Sequence, residues 1–217
     1  MNLLIMGVAG SGKGTMSKKI AEVYHVPHIS TGDLFRQAMK EQTELGKQAM
    51  VYIDEGHLVP DEITIAMMKE RLDQEDCKIG YLLDGYPRTL NQAQAFENIA
   101  AGISRPVQKV INLTVELDIL TSRITGRRVC EDCGAIYHIE HSPSIVKGVC
   151  DRCDGELVHR SDDTVEQLAV RLKEHVLLTK PVLDYYRERG LVIDIDASRS
   201  VDTVWQDINA TLEEIYD

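Results

Sequence analysis

The run Gly7-Val8-Ala9-Gly10-Ser11-Gly12-Lys13-Gly14-Thr15 lies between an apolar stretch, Asn2 to Met6, and a segment whose Met16, Ile20, Ala21 and Val23 recur at helical spacing. A strand that passes through glycines into a helix is a strong constraint on the fold. Glycine lets successive backbone N–H groups converge on one anion, the start of the helix adds partial positive charge, and a lysine at this place reaches terminal phosphate oxygens. Gly10, Ser11, Gly12, Lys13, Gly14 and Thr15 are therefore candidate ligands for the phosphates of a nucleotide. The hydroxyl that usually follows such a lysine directly comes one place later here, at Thr15, with Gly14 between.

Four further runs read as strands: His28 to Ser30, Tyr81 to Asp84, Val107 to Leu113 and Leu191 to Ile195. Helical patterns separate them at Glu62 to Asp73, Leu90 to Ala101, Glu116 to Thr125 and Val201 to Tyr216. Such alternation predicts an α/β fold, a five-stranded parallel sheet with helices on both faces. Two segments interrupt it. Thr31 to Val59 reads as two short helices, Asp33 to Glu41 and Leu45 to Glu55, with no strand between them. From Gly126 to Asp163 helical spacing disappears, and Gly, Cys, Pro and β-branched residues take over. A long helix follows, with Val165, Leu168, Leu172 and Val176 expected on one buried face and Pro181 expected to kink or end its regular part. The strand at Tyr81 ends in Asp84, where phosphate-loop proteins hold hydrated Mg²⁺; Asp33 is a second candidate, or simply a helix-start residue.

The second interruption carries Cys130-x2-Cys133 and, after sixteen residues, Cys150-x2-Cys153. This is zinc-ribbon spacing, and four thiolates close a tetrahedral site with no open position for water, which makes the expected zinc structural. About forty residues cannot bury an adequate core alone, so a metal would supply what packing cannot. His138, His141 and His159 read as surface residues; disulfides or free core thiols are the other reading of the cysteines. The fifth, Cys77, reads as a small apolar filler.

With 24 Lys and Arg against 35 Asp and Glu, the formal charge of −11 argues against a general nucleic-acid binder, which needs a basic face. An anionic ligand must be held by locally gathered Arg and Lys. The first residues are too short and uncharged for a signal peptide, and no apolar run approaches membrane-spanning length, so a cytoplasmic protein is expected.

Several blocks, in order, resemble the adenylate kinases, in particular the long bacterial form with a zinc-bearing lid. Beyond the phosphate loop these are Ser30-Thr31-Gly32-Asp33-Leu34-Phe35-Arg36, Leu58-Val59-Pro60-Asp61-Glu62-Ile63, Leu83-Asp84-Gly85-Tyr86-Pro87-Arg88-Thr89, Gly126-Arg127-Arg128 and Arg160-Ser161-Asp162-Asp163. The resemblance implies a P-loop nucleoside-triphosphate hydrolase-like fold with a core at 1–29, 60–125 and 164–217, an AMP-binding helical insert at 30–59 and a zinc-binding lid at 126–163. It implies Mg²⁺-dependent transfer of a phosphoryl group from ATP to AMP, giving two ADP without a covalent intermediate, in a monomer that binds neither nucleic acid nor membrane.

Residue by residue, the resemblance places AMP against Thr31, Arg36, His57, Leu58, Val59, Gly85, Tyr86, Pro87, Arg88 and Gln92, with Arg88 on the phosphate and Gln92 at adenine. It places ATP against the loop, Arg123, Arg127, Ile136, Tyr137 and Arg199, the last through backbone. Arg160 and Arg171 fall at the phosphates between the nucleotides, so Lys13, Arg88, Arg123, Arg160 and Arg171 form the expected catalytic set. The chain departs from the family at Ala9, commonly Pro, and Met16, commonly Gln. A monophosphate kinase of other specificity is the near alternative, and a non-enzymatic phosphate-loop protein using its zinc ribbon on nucleic acid the distant one; an aromatic content of 5% speaks against the latter.

Overall fold

The five expected strands form one parallel sheet in the computed structural model, which describes residues 1–216. Asp217, at the end of the expected core, lies outside the described residues. The strands are β1 (Asn2–Gly7), β2 (His28–Ser30), β3 (Tyr81–Asp84), β4 (Lys109–Thr114) and, last in the chain, β8 (Val192–Asp196); β5 (Arg127–Cys130), β6 (Ile136–His138) and β7 (Leu157–Val158) make a separate small sheet. The helices are α1 (Lys13–Tyr24), α2 (Thr31–Lys40), α3 (Glu44–Asp54), α4 (Asp61–Leu72), α5 (Leu90–Gly102), α6 (Leu117–Thr125), α7 (Val165–Glu174), α8 (Lys180–Arg187) and α9 (Val201–Tyr216).

In the main sheet the order is β2-β3-β1-β4-β8, all neighbours parallel. A parallel sheet covered on both faces needs strands apolar on both sides, and Leu3, Leu4, Ile5, Leu82 and Leu83 are all fully buried. Their alternation divides the core: Leu4, Met6, Tyr81 and Leu83 join one cluster, Leu3, Ile5 and Leu82 the other. The chain leaves central β1 for the β2 edge, returns to β3, then crosses to β4. That reversal leaves a crevice at the carboxyl ends of β1 and β3, where open α/β sheets bind ligands.

Two additions flank the crevice. Helices α2 and α3 pack through Gly46, where an added Cβ would lie 2.1 Å from the Ala38 carbonyl oxygen, so only glycine permits their approach. Both begin on hydroxyl caps: Ser30 accepts from the Asp33 N–H and Thr43 from that of Gly46. The other addition is the antiparallel sheet β6-β5-β7, whose core is only Cys130, Ala135 and Cys150 with Tyr137 and Leu157 against them.

The expected apolar face of α7 is corrected by the structure. Leu168 is buried against Leu120 and Ile124, and Leu172 packs beside them, but Val165 and Val176 are 51% and 61% exposed. Val165 is the first residue of the helix, beyond the reach of short α6, and Val176 falls in a π turn, His175–Thr179, that winds it outward. The regular winding does give way ahead of Pro181, as expected, although the helix itself continues. It widens into that turn and continues as α8, with the proline, which has no N–H to donate, in the new first turn. Cys77 is buried in the main core, and its sulfur also accepts a hydrogen bond from Arg71 Nη1 at 2.9 Å.

Candidate functional site

The loop after β1 is shaped by its glycines. Gly10 and Gly12 have φ of +83° and +94°, in the left-handed region, and α1 starts at Lys13, so the unpaired N–H groups of its first turn face the crevice. Lys13 Nζ donates to the carbonyls of Gly7 at 2.8 Å and Val8 at 2.9 Å. Burial, reinforced by Arg88, Arg127 and Arg171, lowers its pKa to about 8 against the opposing pull of Asp84. Asp84, at the end of β3, is nearly buried, with His28 Nε2 3.4 Å from its Oδ2.

From this loop a cleft of about 1000 Å³ runs between the two additions, and every residue proposed above for nucleotide or magnesium binding lines it. On the α2–α3 side, Thr31 Oγ1 donates to the Gly85 carbonyl at 3.0 Å, and Arg88 Nε donates to the same oxygen at 2.8 Å. Gly85 has φ of +76°, in the left-handed region that favours glycine, and a Cβ there would press on the Arg88 guanidinium, 2.8 Å from Nη2, and displace it. Tyr86–Pro87 is a cis bond. Gln92 accepts from the Arg88 N–H at 2.8 Å and donates to Asp61 Oδ1 at 2.7 Å, which fixes its amide within the wall. Arg36 pairs with Asp33. Burial opposes the Asp33 charge, but Arg36, Arg160 and His28 together hold the carboxyl below its ordinary range. Asp33 is thus engaged by arginine, and Asp84 is the better placed carboxylate for a hydrated cation at the loop.

On the opposite side, Arg127 and Arg171 are anchored on Asp163 and Asp162, while Arg160 lies 3.8 Å from Asp33. Burial, with Arg36 and Arg127 nearby, lowers the Arg160 pKa to about 10. Gathering Lys13, Arg36, Arg88, Arg127, Arg160 and Arg171 around one cleft, in a chain of net charge −11, makes a site for a polyanion. Farther along, Arg123 Nη1 donates to the Ala197 carbonyl at 2.8 Å. The Arg199 side chain turns to Asp196 and Asp207. Ile136 reaches over the loop, 3.2 Å from where a Cβ on Gly14 would stand.

The four paired cysteines converge, their sulfurs all within 4.8 Å of one another, with Cys130 to Cys153 at 3.5 Å and Cys133 to Cys150 at 3.6 Å. A tetrahedron of sulfurs at zinc-bond length has edges of about 3.8 Å, so the residues fit zinc. Tyr137 links this site to the cleft it lines: its hydroxyl accepts from the Asp151 N–H at 2.8 Å and lies 3.5 Å from Cys150 Sγ.

Sequence reasoning missed several cleft residues. His138 and His141 both line the cleft: His141 is exposed, as expected, but stacks on half-buried His138 with ring centres 4.5 Å apart, and His138 Nε2 donates to the Ser122 carbonyl at 3.0 Å. Its Nδ1 accepts from the Glu140 and His141 N–H groups, which fixes the tautomer. Glu174, His175 and Thr179 also face the cleft. Glu174 Oε1 is 2.7 Å from His57 Nδ1, and Thr179 Oγ1 donates to the Arg88 carbonyl at 3.1 Å. Spacing of three and four from Arg171 could have flagged Glu174 and His175; nothing local announces Thr179.

The sequence model of the adenylate kinase family matches residues 5–191. Among curated proteins, the adenylate kinases of Bacillus cytotoxicus and of Geobacillus sp. strain WCH70 are each 50% identical over 212 residues, covering 98% of both chains. That of Bacillus licheniformis is 48% identical over the same share.

Proposed function

Because the chain belongs to the adenylate kinase family, and so transfers a phosphoryl group reversibly between ATP and AMP, we propose that the cleft residues divide between the two nucleotides as follows. The loop from Gly10 to Thr15 takes the ATP phosphates, with Arg123, Arg127, Ile136, Tyr137 and the backbone of Arg199 along the rest of the donor. AMP lies against Thr31, Arg36, His57 to Val59, Gly85 to Arg88 and Gln92. Arg160 and Arg171 stand where the two chains of phosphate meet. The observation that carries this division is the gathering of six cationic side chains, Lys13, Arg36, Arg88, Arg127, Arg160 and Arg171, in one cleft lined by both the glycine loop and the Gly85–Arg88 turn.

The acceptor is a phosphate oxygen already ionised at neutral pH, so no general base is required. Catalysis becomes alignment for in-line attack together with stabilisation of charge spread over the transferring group. Lys13 and the arginines supply this, and arginine suits the task because its planar fork pairs with two phosphate oxygens and stays charged when water is excluded. Mg²⁺ bound with ATP would neutralise further negative charge, and Asp84 would hold its water shell, with Asp33 released to it only if its arginine partners turn to phosphate. Water must be kept from the transferring group, or ATP would be hydrolysed. Residues 30–59 and 126–163 serve as movable covers on a core of 1–29, 60–125 and 164–217, and zinc on the four thiols keeps the second cover folded.

No helix among the described residues is long and apolar enough to cross a membrane, and we assign the protein to the cytoplasm, as a monomer without nucleic-acid or membrane partners. The test of specificity is a scan with Mg²⁺ of AMP, GMP, CMP and UMP against ATP and GTP. ATP with AMP is expected to give the highest kcat/KM; a better pair would overturn the adenine assignment.

A further inference from the structure

Glu174 ends α7 with its side chain 19% exposed and its two oxygens in different circumstances. Oε1 is 2.7 Å from Nδ1 of His57, on the segment that follows α3. Oε2 is fully buried and has no hydrogen-bond partner within the protein. A buried carboxylate oxygen without a donor is costly, and an unsatisfied acceptor beside a ligand cleft points to a donor on the ligand. Glu174 lines the cleft, and it is near enough to Arg88 to support the charge of that guanidinium.

With AMP seated as proposed above, on which this inference rests, the base end is bounded by Leu58, Val59 and Gln92 and the phosphate end by Arg36 and Arg88. The sugar must span the interval, and Glu174 faces both His57 and Arg88 from the opposite helix. A ribose brings to that interval the hydroxyl donors that the orphaned oxygen lacks. We infer that Glu174 is a positioning and specificity residue for the acceptor, its Oε2 accepting a hydrogen bond from a ribose hydroxyl of AMP while Oε1 is held by His57. One carboxylate then joins the acceptor sugar, the α2–α3 insert and the core helix. A nucleotide lacking that hydroxyl leaves the oxygen unpaired, and the site discriminates ribose from deoxyribose.

The test compares kcat/KM for AMP, 2′-deoxy-AMP and 3′-deoxy-AMP with saturating ATP in the wild-type protein, Glu174→Ala, Glu174→Gln and His57→Ala, with melting curves to confirm folding. The wild type should favour AMP over one of the deoxy analogues by about tenfold or more, the size expected of a hydrogen bond to a charged group. Glu174→Ala should abolish that preference, lowering the analogue no more than His57→Ala does and leaving KM for ATP unchanged. Glu174→Gln, which keeps an oxygen acceptor without the charge, should retain part of it and gives the same comparison if the alanine variant fails to fold. His57→Ala should lower all three acceptors alike. Equal treatment of all three acceptors by the wild type, or one common factor of loss in Glu174→Ala, would overturn the inference while leaving AMP as acceptor. Failure of the wild type to use AMP would instead remove the acceptor assignment, and this inference with it.

Discussion

Arg127 and Asp163, 36 residues apart, close the base of the small-sheet unit on each other: Arg127 Nε donates to Asp163 Oδ2 at 2.7 Å and Nη2 donates to Oδ1, and Asp163 has no exposed surface. The pair fixes the two strands of chain by which residues 126–163 leave and rejoin the rest. It also aims the guanidinium at the cleft it lines.

Removing one member should therefore cost more than a surface ion pair does. Asp163→Ala leaves Arg127, whose side chain is 19% exposed, without its fully buried partner, a change worth up to about 3 kcal/mol, and at this length the melting temperature should fall by several degrees, up to roughly 10 °C. Calorimetry checks this; a loss as small as that of an exposed pair would mean that solvent reaches Arg127 freely.

Lys13→Met should separate the chemical step from binding. In the role proposed for it the ammonium meets charge that grows during transfer, so kcat should drop by about a hundredfold or more while KM for either nucleotide changes little. Steady-state kinetics with circular dichroism as a folding control decides the matter. Equal losses in kcat and affinity would mean that Lys13 merely holds ground-state phosphate.

The four thiols should carry about one zinc per chain, measurable by elemental analysis. Stripping the metal, or Cys150→Ser, should lower the melting temperature and make 126–163 the first region cut in limited proteolysis, because metal binding here is folding energy. A metal-free preparation that melts unchanged would defeat the prediction.

His175 should make the fold acid-sensitive in a definite window. Burial, with Lys13 and Arg88 close by, lowers its pKa from 6.5 to about 4. Between those values the unfolded chain binds the proton and the folded chain does not, so stability is complete above about pH 6.5 and declines as pH falls toward 4. Allowing for partial solvent screening, the loss is about 1–2 kcal/mol. Urea titrations of His175→Gln should show a correspondingly flatter dependence across that range, and parallel curves for the two proteins would refute the assignment.

What could be read from the sequence was what local pattern determines. The glycine run, the apolar strands and the cysteine spacing each carry their meaning within a few residues, and they appear as β1 with its loop, the parallel sheet and the converged sulfurs. Val165 is exposed because a helical stripe is buried only as far as its neighbour extends, and α6 is short; Val176 is exposed because the π turn breaks the helical period that the stripe assumes. His138 read as a plain surface residue because its partner, the Ser122 carbonyl, belongs to a different element. Glu174 meets His57 across 117 residues of chain, a pairing no local spacing encodes. The roles of individual arginines rested on resemblance, since an arginine in a helix looks the same whether it faces water or phosphate.

The π turn between α7 and α8 also sets a phase. In a uniform α-helix, side chains four residues apart drift around the axis by about 40°, so Arg171, His175 and Thr179 would spiral progressively away from one line. Widening the winding over His175–Thr179 rotates the chain back, and all three residues line the same cleft. The irregularity thus works as an angular correction, which lets one continuous helix present Arg171 at one level of the cleft and a brace for Arg88 at another.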